Sequence, residues 1–272
     1  MSKQGDSLNR LNEVLGALLA PNGCPWDKEQ TPESLCDYLV EECFELVEAI
    51  RSGDVAEIRE EIGDVMFLLA FLGRLHEDKG QFSLADSIDN NAAKMVRRHP
   101  HVFSDTTYAD RDDFLKNWEA IKRSEKKGDD GQPKGVYDSL PASLPPLQKA
   151  YRIHSKAARV DFTWPDDEDV ERQVEAEWLE LIDACASEDK DLQEKELGDL
   201  IFSLVELGRR KGFKANAALD KTNRKFLRRF AHMEAVSRER GLDFPALSLD
   251  DKDELWNEAK DFEKGTELKP LK

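Results

Sequence analysis

The sequence has few cysteines and no long hydrophobic run. Its four cysteines form no C-x-x-C pair and no paired framework, which is typical of reduced thiols rather than of a disulfide scaffold. The longest apolar run, residues 65–72, is far too short to span a bilayer. Residues 1–9 are polar and do not resemble a signal peptide. We therefore expect a soluble, cytoplasmic protein that makes no membrane contact.

Basic side chains are also fewer than acidic ones. The 272 residues include 57 acidic and 40 basic side chains, and the formal net charge is −17. Such a protein repels nucleic acid, so we do not expect a nucleic-acid partner. A phosphate substrate would meet the same repulsion unless a bound divalent cation offset it. No Gly-rich P-loop motif is present, which argues against a P-loop ATPase.

Strand signals are missing, and helical periodicity dominates the chain. Thr31, with Pro32 at the first helical position, and Asp54 are predicted to cap the second and third helices. The fold class is therefore predicted to be all-α. The predicted helices cover residues 8–20, 31–53, 54–79, 84–98 and 112–126 in the first half, and 146–158, 169–186, 189–211, 215–240 and 251–263 in the second.

The two halves of the chain repeat the same rare features in the same order. Two acidic pairs recur at an offset of 135 residues, followed by a basic segment and a Trp-x-x-x-Lys motif. A shared order over about 100 residues indicates an internal duplication. We predict two tandem modules resembling four-helix bundles, over residues 1–127 and 147–272. A segment rich in proline and glycine, residues 128–146, is predicted to link them.

Each half carries two pairs of carboxylates at helical spacing. Side chains three residues apart lie on one face of a helix, so two adjacent helices can bring four carboxylates together. A single E-x-x-E is more often a solvated face, but here Asp64 and Asp199 also open apolar runs, where a carboxylate needs a partner or a cation. Hard oxygen ligands suit Mg²⁺ or Mn²⁺. The predicted ligands are Glu177, Glu180, Glu196 and Asp199, and in a second set Glu42, Glu45, Glu61 and Asp64.

The motif E-E-x-x-E, followed by E-x-x-D on the next helix, resembles the signature of the MazG family of all-α nucleoside triphosphate pyrophosphohydrolases. Residues 41–45 and 61–64 fit it, and residues 23–27 and 97–103 fit further family segments. The resemblance covers nearly the whole chain and its tandem arrangement. It implies Mg²⁺-dependent hydrolysis of nucleoside triphosphates to the monophosphate and pyrophosphate, with broad base specificity. It also implies a homodimer with sites near the subunit interface, and a role in clearing aberrant nucleotides or adjusting nucleotide alarm signals.

The resemblance favours the second module as the active one. Ala176 replaces Glu41 there, but the four carboxylates that match the family's metal ligands are retained. In the first half, Ala92 stands in the place of Asn223, whose segment resembles the N-x-K-F-x-x-R-F segment of active modules. We therefore expect the first module to be structural or weakly active.

The resemblance also implies roles for basic and aromatic residues of the second module. Lys225 and Arg229, four apart on one helical face, would hold the polyphosphate. A carboxylate such as Glu180 would orient the attacking water or take its proton. The same residues also fit a basic outer helix face, and Trp256 also fits a core anchor. The implied nucleotide contacts are Asn223, Lys225, Arg228, Arg229, Trp256 and Lys260.

Two other functions fit the sequence. Ala176 and Ala92 also suit a catalytically silent helical scaffold or regulatory protein that has kept the ligand pattern. An enzyme with a narrower polyphosphate substrate, such as a damaged nucleotide or a phosphoribosyl-ATP, is the second alternative. Turnover measured over a panel of nucleotides would separate the three.

Overall fold

The computed structural model describes residues 2–125 and 135–267, and the regular structure in these ranges is entirely helical. The all-α prediction is therefore confirmed. The chain divides into two compact units, residues 1–126 and residues 127–272, which we call unit 1 and unit 2. Among the described residues, no helix combines the length and the apolar character needed to cross a membrane.

Unit 1 is organised around one central helix. Its helices are α1 (Lys3–Leu18), α2 (Pro25–Lys28), α3 (Leu35–Ser52), α4 (Val55–Asp78), α5 (Leu84–Arg98), α6 (Pro100–Phe103) and α7 (Arg111–Glu125). Helix α4 contacts α1, α3 and α5, while α5 also contacts α6 and α7. The core lies where α4 meets its neighbours, with Leu15, Leu35 and Phe71 almost completely buried. Each such side chain contributes about 1.5–3 kcal/mol through burial.

The turn between α3 and α4 follows the sequence closely. Asp54 accepts hydrogen bonds from the N–H groups of Ala56 at 2.8 Å and Glu57 at 3.3 Å, as predicted for an N-cap. Gly53 ends α3 with a φ of 79°, a left-handed conformation that glycine adopts without a steric penalty. The short connection makes α3 and α4 an antiparallel hairpin, which positions their side chains for the site described below.

The cap predicted at Thr31 is present, although the regular part of the helix begins one turn later. Helix α3 begins at Leu35, after Ser34. The hydroxyl of Thr31 accepts a hydrogen bond from the N–H of Ser34 at 3.2 Å, and the hydroxyl of Ser34 accepts one from the N–H of Thr31 at 2.9 Å. These reciprocal bonds have the pattern of a capping box, and the N–H of Leu35 donates to the carbonyl of Thr31 at 3.1 Å, so the first turn leads directly into α3.

Unit 2 repeats the arrangement of unit 1. Its helices are α8 (Pro146–Ala158), α9 (Asp167–Cys185), α10 (Lys190–Arg210), α11 (Ala215–Glu239) and α12 (Leu249–Glu267), with a 3₁₀ turn over Phe244–Ala246. Helix α10 contacts α8, α9 and α11, as α4 contacts its neighbours in unit 1. Asp189 caps α10 by accepting from the N–H of Leu192 at 3.1 Å. Helices α9 and α10 therefore form a second hairpin.

Part of the predicted linker is attached to unit 2. Residues 128–134 lie outside the described residues. Further along, the ammonium of Lys156 in α8 donates to the carbonyl of Val136 at 2.9 Å and to the hydroxyl of Ser139 at 3.0 Å. Lys156 is itself buried, so these bonds compensate its charge. The segment before α8 is therefore anchored on that helix.

A buried ionic network in unit 2 replaces part of the apolar core of unit 1. Glu206 in α10 stands 135 residues after Phe71, and both side chains are only 1% exposed. The guanidinium of Arg209 donates to Glu206 at 2.6 and 2.8 Å, and the hydroxyl of Thr163 donates at 3.2 Å. Burial alone would raise the pKa of Glu206, but the pairing with Arg209 lowers it below its usual value. Nδ1 of the buried His154 lies 3.6 Å from the same carboxylate.

Two glycines of α4 offer a matched test of helix packing. A Cβ at Gly73 would lie 2.9 Å from the Cβ of Leu84, whereas a Cβ at Gly63 would meet nothing within 4 Å. We expect Gly73→Ala to lower the free energy of unfolding by about 1–3 kcal/mol, because the first turn of α5 must shift. Gly63→Ala should raise it by about 0.5–1 kcal/mol, since alanine favours the helix. Urea denaturation followed by circular dichroism measures both, and equal effects would contradict the close approach of α4 and α5.

Candidate metal and nucleotide site

Three carboxylates of unit 2 converge between α9 and α10. Glu177 of α9 and Glu196 and Asp199 of α10 each offer one oxygen, and the three oxygens all lie within 4.8 Å of one another. The i,i+3 spacing of Glu196 and Asp199 puts both on one face of α10. The hairpin then sets this face against Glu177. Three of the four predicted ligands therefore meet at one point.

The buried member of this group leaves an oxygen without a partner. Glu196 is 6% exposed, and among the described residues its Oε2 has no hydrogen-bond partner. A buried polar atom without a partner costs on the order of 1–3 kcal/mol, and a charged one costs more. Oxygen ligands at this spacing suit a hard divalent cation. The donor set and the unpartnered oxygen therefore both fit a bound divalent metal.

Two neighbouring side chains complete the unit 2 site. The ammonium of Lys195 donates to Glu196 Oε1 at 2.8 Å and lies 3.4 Å from Asp199 Oδ2. The hydrogen bonds to Glu196 and then to Asp199 raise the pKa of Lys195, so the ammonium stays charged. Glu177 accepts a hydrogen bond from the side-chain amide of Gln173 at 2.7 Å. The sequence prediction included neither Lys195 nor Gln173.

The fourth predicted ligand of each set lies outside these groups. Glu180 and Glu45 are exposed, and neither belongs to the groups of three carboxylates found in the described residues. The charge of Glu45 still reaches the unit 1 group, because it is the second cause, after burial, of the raised pKa of Glu61. Spacing alone predicts that residues share a helix face, but it does not determine how close each carboxylate comes to the others.

Unit 1 repeats the carboxylate group, with Glu60 at the position that matches Lys195. Oxygens of Glu42, Glu61 and Asp64 lie within 4.8 Å of one another. Burial raises the pKa of Glu42 and Glu61, and repulsion from the surrounding carboxylates raises both further. Oε2 of Glu61 is buried, and no partner for it is found among the residues described. A divalent cation would relieve this repulsion, so unit 1 fits a metal as well.

The two arginines predicted to bind nucleotide lie on α11 and pair with a carboxylate of α12. Nε of Arg229 donates to Glu263 at 2.7 Å, and its guanidinium lies 5.4 Å from the ring centre of Trp256. Arg228 approaches the same carboxylate at 3.3 Å. These two guanidinium groups lower the pKa of Glu263, chiefly through the hydrogen bond from Arg229. A cavity of about 560 Å³ is lined by both arginines, Glu263 and Phe262.

Unit 1 contains the same arrangement of arginine, glutamate and tryptophan. Arg98 pairs with Glu125 at 2.6 Å and lies 5.8 Å from the ring centre of Trp118. The equivalent arrangement therefore joins α5 to α7 in unit 1 and α11 to α12 in unit 2. Because this arrangement is present in both units, it indicates a structural role. A role in nucleotide binding would be additional.

The remaining predicted contacts differ in exposure. Asn223 and Lys225 are exposed on α11, and Lys260 on α12 donates to the side chain of Asn257 at 3.1 Å. Trp256 packs against the core of unit 2, with its ring centre 5.1 Å from that of Phe226. Within the described part of unit 2, no hydrogen bond or ion pair joins these α11 and α12 residues to the carboxylates of α9 and α10.

The comparison with known proteins decides the family. Residues 30–103 and 167–234 match the MazG nucleotide pyrophosphohydrolase domain. A nucleoside triphosphate pyrophosphohydrolase of Escherichia coli K12 is 35% identical over 260 residues, which span 94% of this chain and 97% of that protein. The chain belongs to the MazG nucleotide pyrophosphohydrolase family. The predicted family and its tandem arrangement are thereby confirmed.

Two further MazG relatives differ in how much of their length the chain covers. The nucleoside triphosphate pyrophosphohydrolase/pyrophosphatase MazG of Thermotoga maritima is 38% identical over 261 residues, or 96% of this chain and 98% of that protein. The YabN protein of Bacillus subtilis is 42% identical over 252 residues, or 92% of this chain. The chain spans only about half, 51%, of YabN. Both MazG matches in this chain contain a complete carboxylate set, whereas Trp256 and Lys260 lie beyond the second match.

The two carboxylate groups predict a simple change in metal stoichiometry. Replacing Glu196 with Gln and Asp199 with Asn should remove metal binding from unit 2 and leave unit 1 unchanged. We expect the Mn²⁺ bound at saturation to fall by about half, because the two groups have the same composition of ligands. Electron paramagnetic resonance of free Mn²⁺ measures the bound amount. Glu188→Gln, an exposed carboxylate before α10, is the control, and an unchanged stoichiometry in the double variant would contradict the site.

Proposed function

We propose that this chain hydrolyses ribo- and deoxynucleoside triphosphates to the monophosphate and pyrophosphate with Mg²⁺, and that unit 2 is the working module. The observation that carries the proposal is the group of three carboxylates, in which one buried oxygen of Glu196 has no hydrogen-bond partner among the described residues. The names of the relatives from Escherichia coli and Thermotoga maritima support the same activity. Its proposed role is to clear aberrant nucleotides from the cytoplasmic pool.

Glu177, Glu196 and Asp199 would hold the Mg²⁺, with Mn²⁺ as a substitute. The bound ion would neutralise phosphate oxygens and lower the pKa of a water molecule. Glu180 lies one turn along α9 from Glu177 and is exposed, so it can orient the attacking water or take its proton. No side-chain nucleophile is needed for this reaction.

The residues of α11 and α12 would bind the nucleotide itself. Arg229 is already fixed by Glu263, so little orientational freedom is lost when it contacts a phosphate. Lys225, one turn away and exposed, adds a second positive charge. Trp256 offers an aromatic ring, which stacks on any base and therefore supports broad base specificity. Asn223, Arg228 and Lys260 would complete the contacts.

We further propose that the protein is a homodimer whose hairpins pack against those of a second copy. Both hairpins expose apolar side chains at matching positions, and exposed apolar faces of this kind mark association surfaces. Sedimentation at micromolar concentration tests the pairing, and a monomer under those conditions would refute it. The matching positions are Phe44, Val47, Ile62, Met66 and Leu69 in unit 1, and Leu179, Ile182, Leu197, Ile201 and Leu204 in unit 2.

A panel of ribo- and deoxynucleoside triphosphates tests the proposed activity directly. We expect equimolar monophosphate and pyrophosphate from every base, only in the presence of a divalent cation. Chromatography of the nucleotides and an assay for released pyrophosphate measure both products. Nucleotide binding without product would favour the silent scaffold, and turnover of one substrate alone would favour the narrow-specificity enzyme.

Glu180→Gln tests the assignment of the reaction to unit 2. We expect unchanged nucleotide affinity and a fall in turnover of about 100-fold or more, because the amide cannot accept the water's proton. Glu45→Gln, the matching change in unit 1, is the control and should retain most of the activity. Near-normal turnover in Glu180→Gln would remove that residue from the mechanism, and loss of turnover in Glu45→Gln would move the reaction to unit 1.

A further inference from the structure

One residue accounts for most of the charge difference between the two carboxylate groups. At matching positions, unit 1 has six acidic side chains, Glu41, Glu42, Glu45, Glu60, Glu61 and Asp64. Unit 2 has Ala176 and Lys195 in place of Glu41 and Glu60. The formal charge of the set is therefore −6 in unit 1 and −3 in unit 2. Most of this difference comes from the exchange of Glu60 for Lys195.

Lys195 pairs with two of the carboxylates that a metal would need. Its ammonium lies 2.8 Å from Glu196 Oε1 and 3.4 Å from Asp199 Oδ2, so it bridges two of the three converging carboxylates. Its side chain is nevertheless 64% exposed and stands on a flexible stem, so it can move aside at small cost. In the part of the chain that the structure describes, Oε2 of Glu196 has no hydrogen-bond partner. The lysine therefore neutralises the group only in part.

We infer that Lys195 is an internal counter-ion of unit 2, which a divalent cation displaces and which then binds the triphosphate of the substrate. The second half of this inference rests on the proposed function. The displaced ammonium would remain close to the metal, and its carboxylate partners would now bind the metal instead. A triphosphate is the anion that this reaction brings to the same place. Metal and nucleotide would therefore strengthen each other's binding in unit 2, whereas unit 1 would hold a metal without nucleotide.

Reciprocal exchange of the two residues tests the counter-ion in the absence of nucleotide. In the full chain with unit 1 disabled by Glu61→Gln and Asp64→Asn, Lys195→Met should tighten Mn²⁺ binding about tenfold. With unit 2 disabled by Glu196→Gln and Asp199→Asn, Glu60→Lys should weaken Mn²⁺ binding by a similar factor. Lys190→Met removes the same charge from the same helix, but its ammonium donates to the amide of Gln193, so affinity should not change. Calorimetry gives the affinities, and thermal melts verify that each variant is folded.

The second measurement is the coupling between metal and nucleotide. With unit 1 disabled, we expect Mn²⁺ to raise the affinity of an α,β-methylene nucleoside triphosphate, which is not cleaved between its first two phosphates. In Lys195→Met this enhancement should shrink about tenfold, although the metal alone binds more tightly. A purely structural role for the lysine would not tighten Mn²⁺ binding and at the same time reduce the effect of Mn²⁺ on nucleotide affinity.

The outcomes separate this inference from the proposed function. Unchanged Mn²⁺ affinity in both Lys195→Met and Glu60→Lys would overturn the counter-ion. A changed Mn²⁺ affinity with unchanged coupling would overturn the contact with the triphosphate. If the analogue fails to bind with metal present and triphosphates are not hydrolysed, the proposed function fails, while the measurement without nucleotide still decides the role of Lys195.

Discussion

Repulsion between carboxylates on paired helices is the constraint that the rest of this structure accommodates. Two carboxylates of each group lie on the central helix of its unit, α4 or α10, and buried residues of the apolar run that follows Asp64 or Asp199 pack into the core. The helix cannot rotate to separate the charges without exposing that run to water. The repulsion must therefore be offset by a cation. Lys195 offsets it in part in unit 2, and a divalent metal fits both units.

The two units show that the same helical framework can hold either an apolar or an ionic group at a matching core position. Phe71 completes an apolar core in unit 1, while at the matching position Glu206 is equally buried. The exchange of phenylalanine for glutamate is tolerable only because Arg209 and Thr163 satisfy the carboxylate. Replacing Glu206 alone with phenylalanine would leave Arg209 without its carboxylate partner. A difference between the duplicated modules at a buried charged position therefore involves the residues that pair with it.

Local signals predicted most of the fold, and tertiary contacts explain the failures. Asp54 and Thr31 cap their helices as predicted because each side chain needs only nearby backbone N–H groups, whereas the start of the regular helix after Thr31 was predicted one turn too early. The repeat predicted which helices carry the carboxylates, and three of each four converge. The pairing of Arg229 with Glu263 spans 34 residues, so no local pattern reveals it. Lys195 was accessible to sequence analysis, since alignment of the halves at 135 residues sets it against Glu60.

The net negative charge of the protein affects how a triphosphate can approach the carboxylate groups. With a net charge of −17, the chain repels a free triphosphate, and a carboxylate group repels it most at short range. A triphosphate that arrives with a divalent cation carries less negative charge and supplies the ion that the group lacks. The arginine arrangement on α11 and α12 is shared by both units, so it cannot by itself distinguish a working module. What distinguishes unit 2 is a carboxylate group of lower negative charge, together with Asn223 on α11, where unit 1 has Ala92. This combination is the basis for the proposed joint uptake of metal and nucleotide in unit 2.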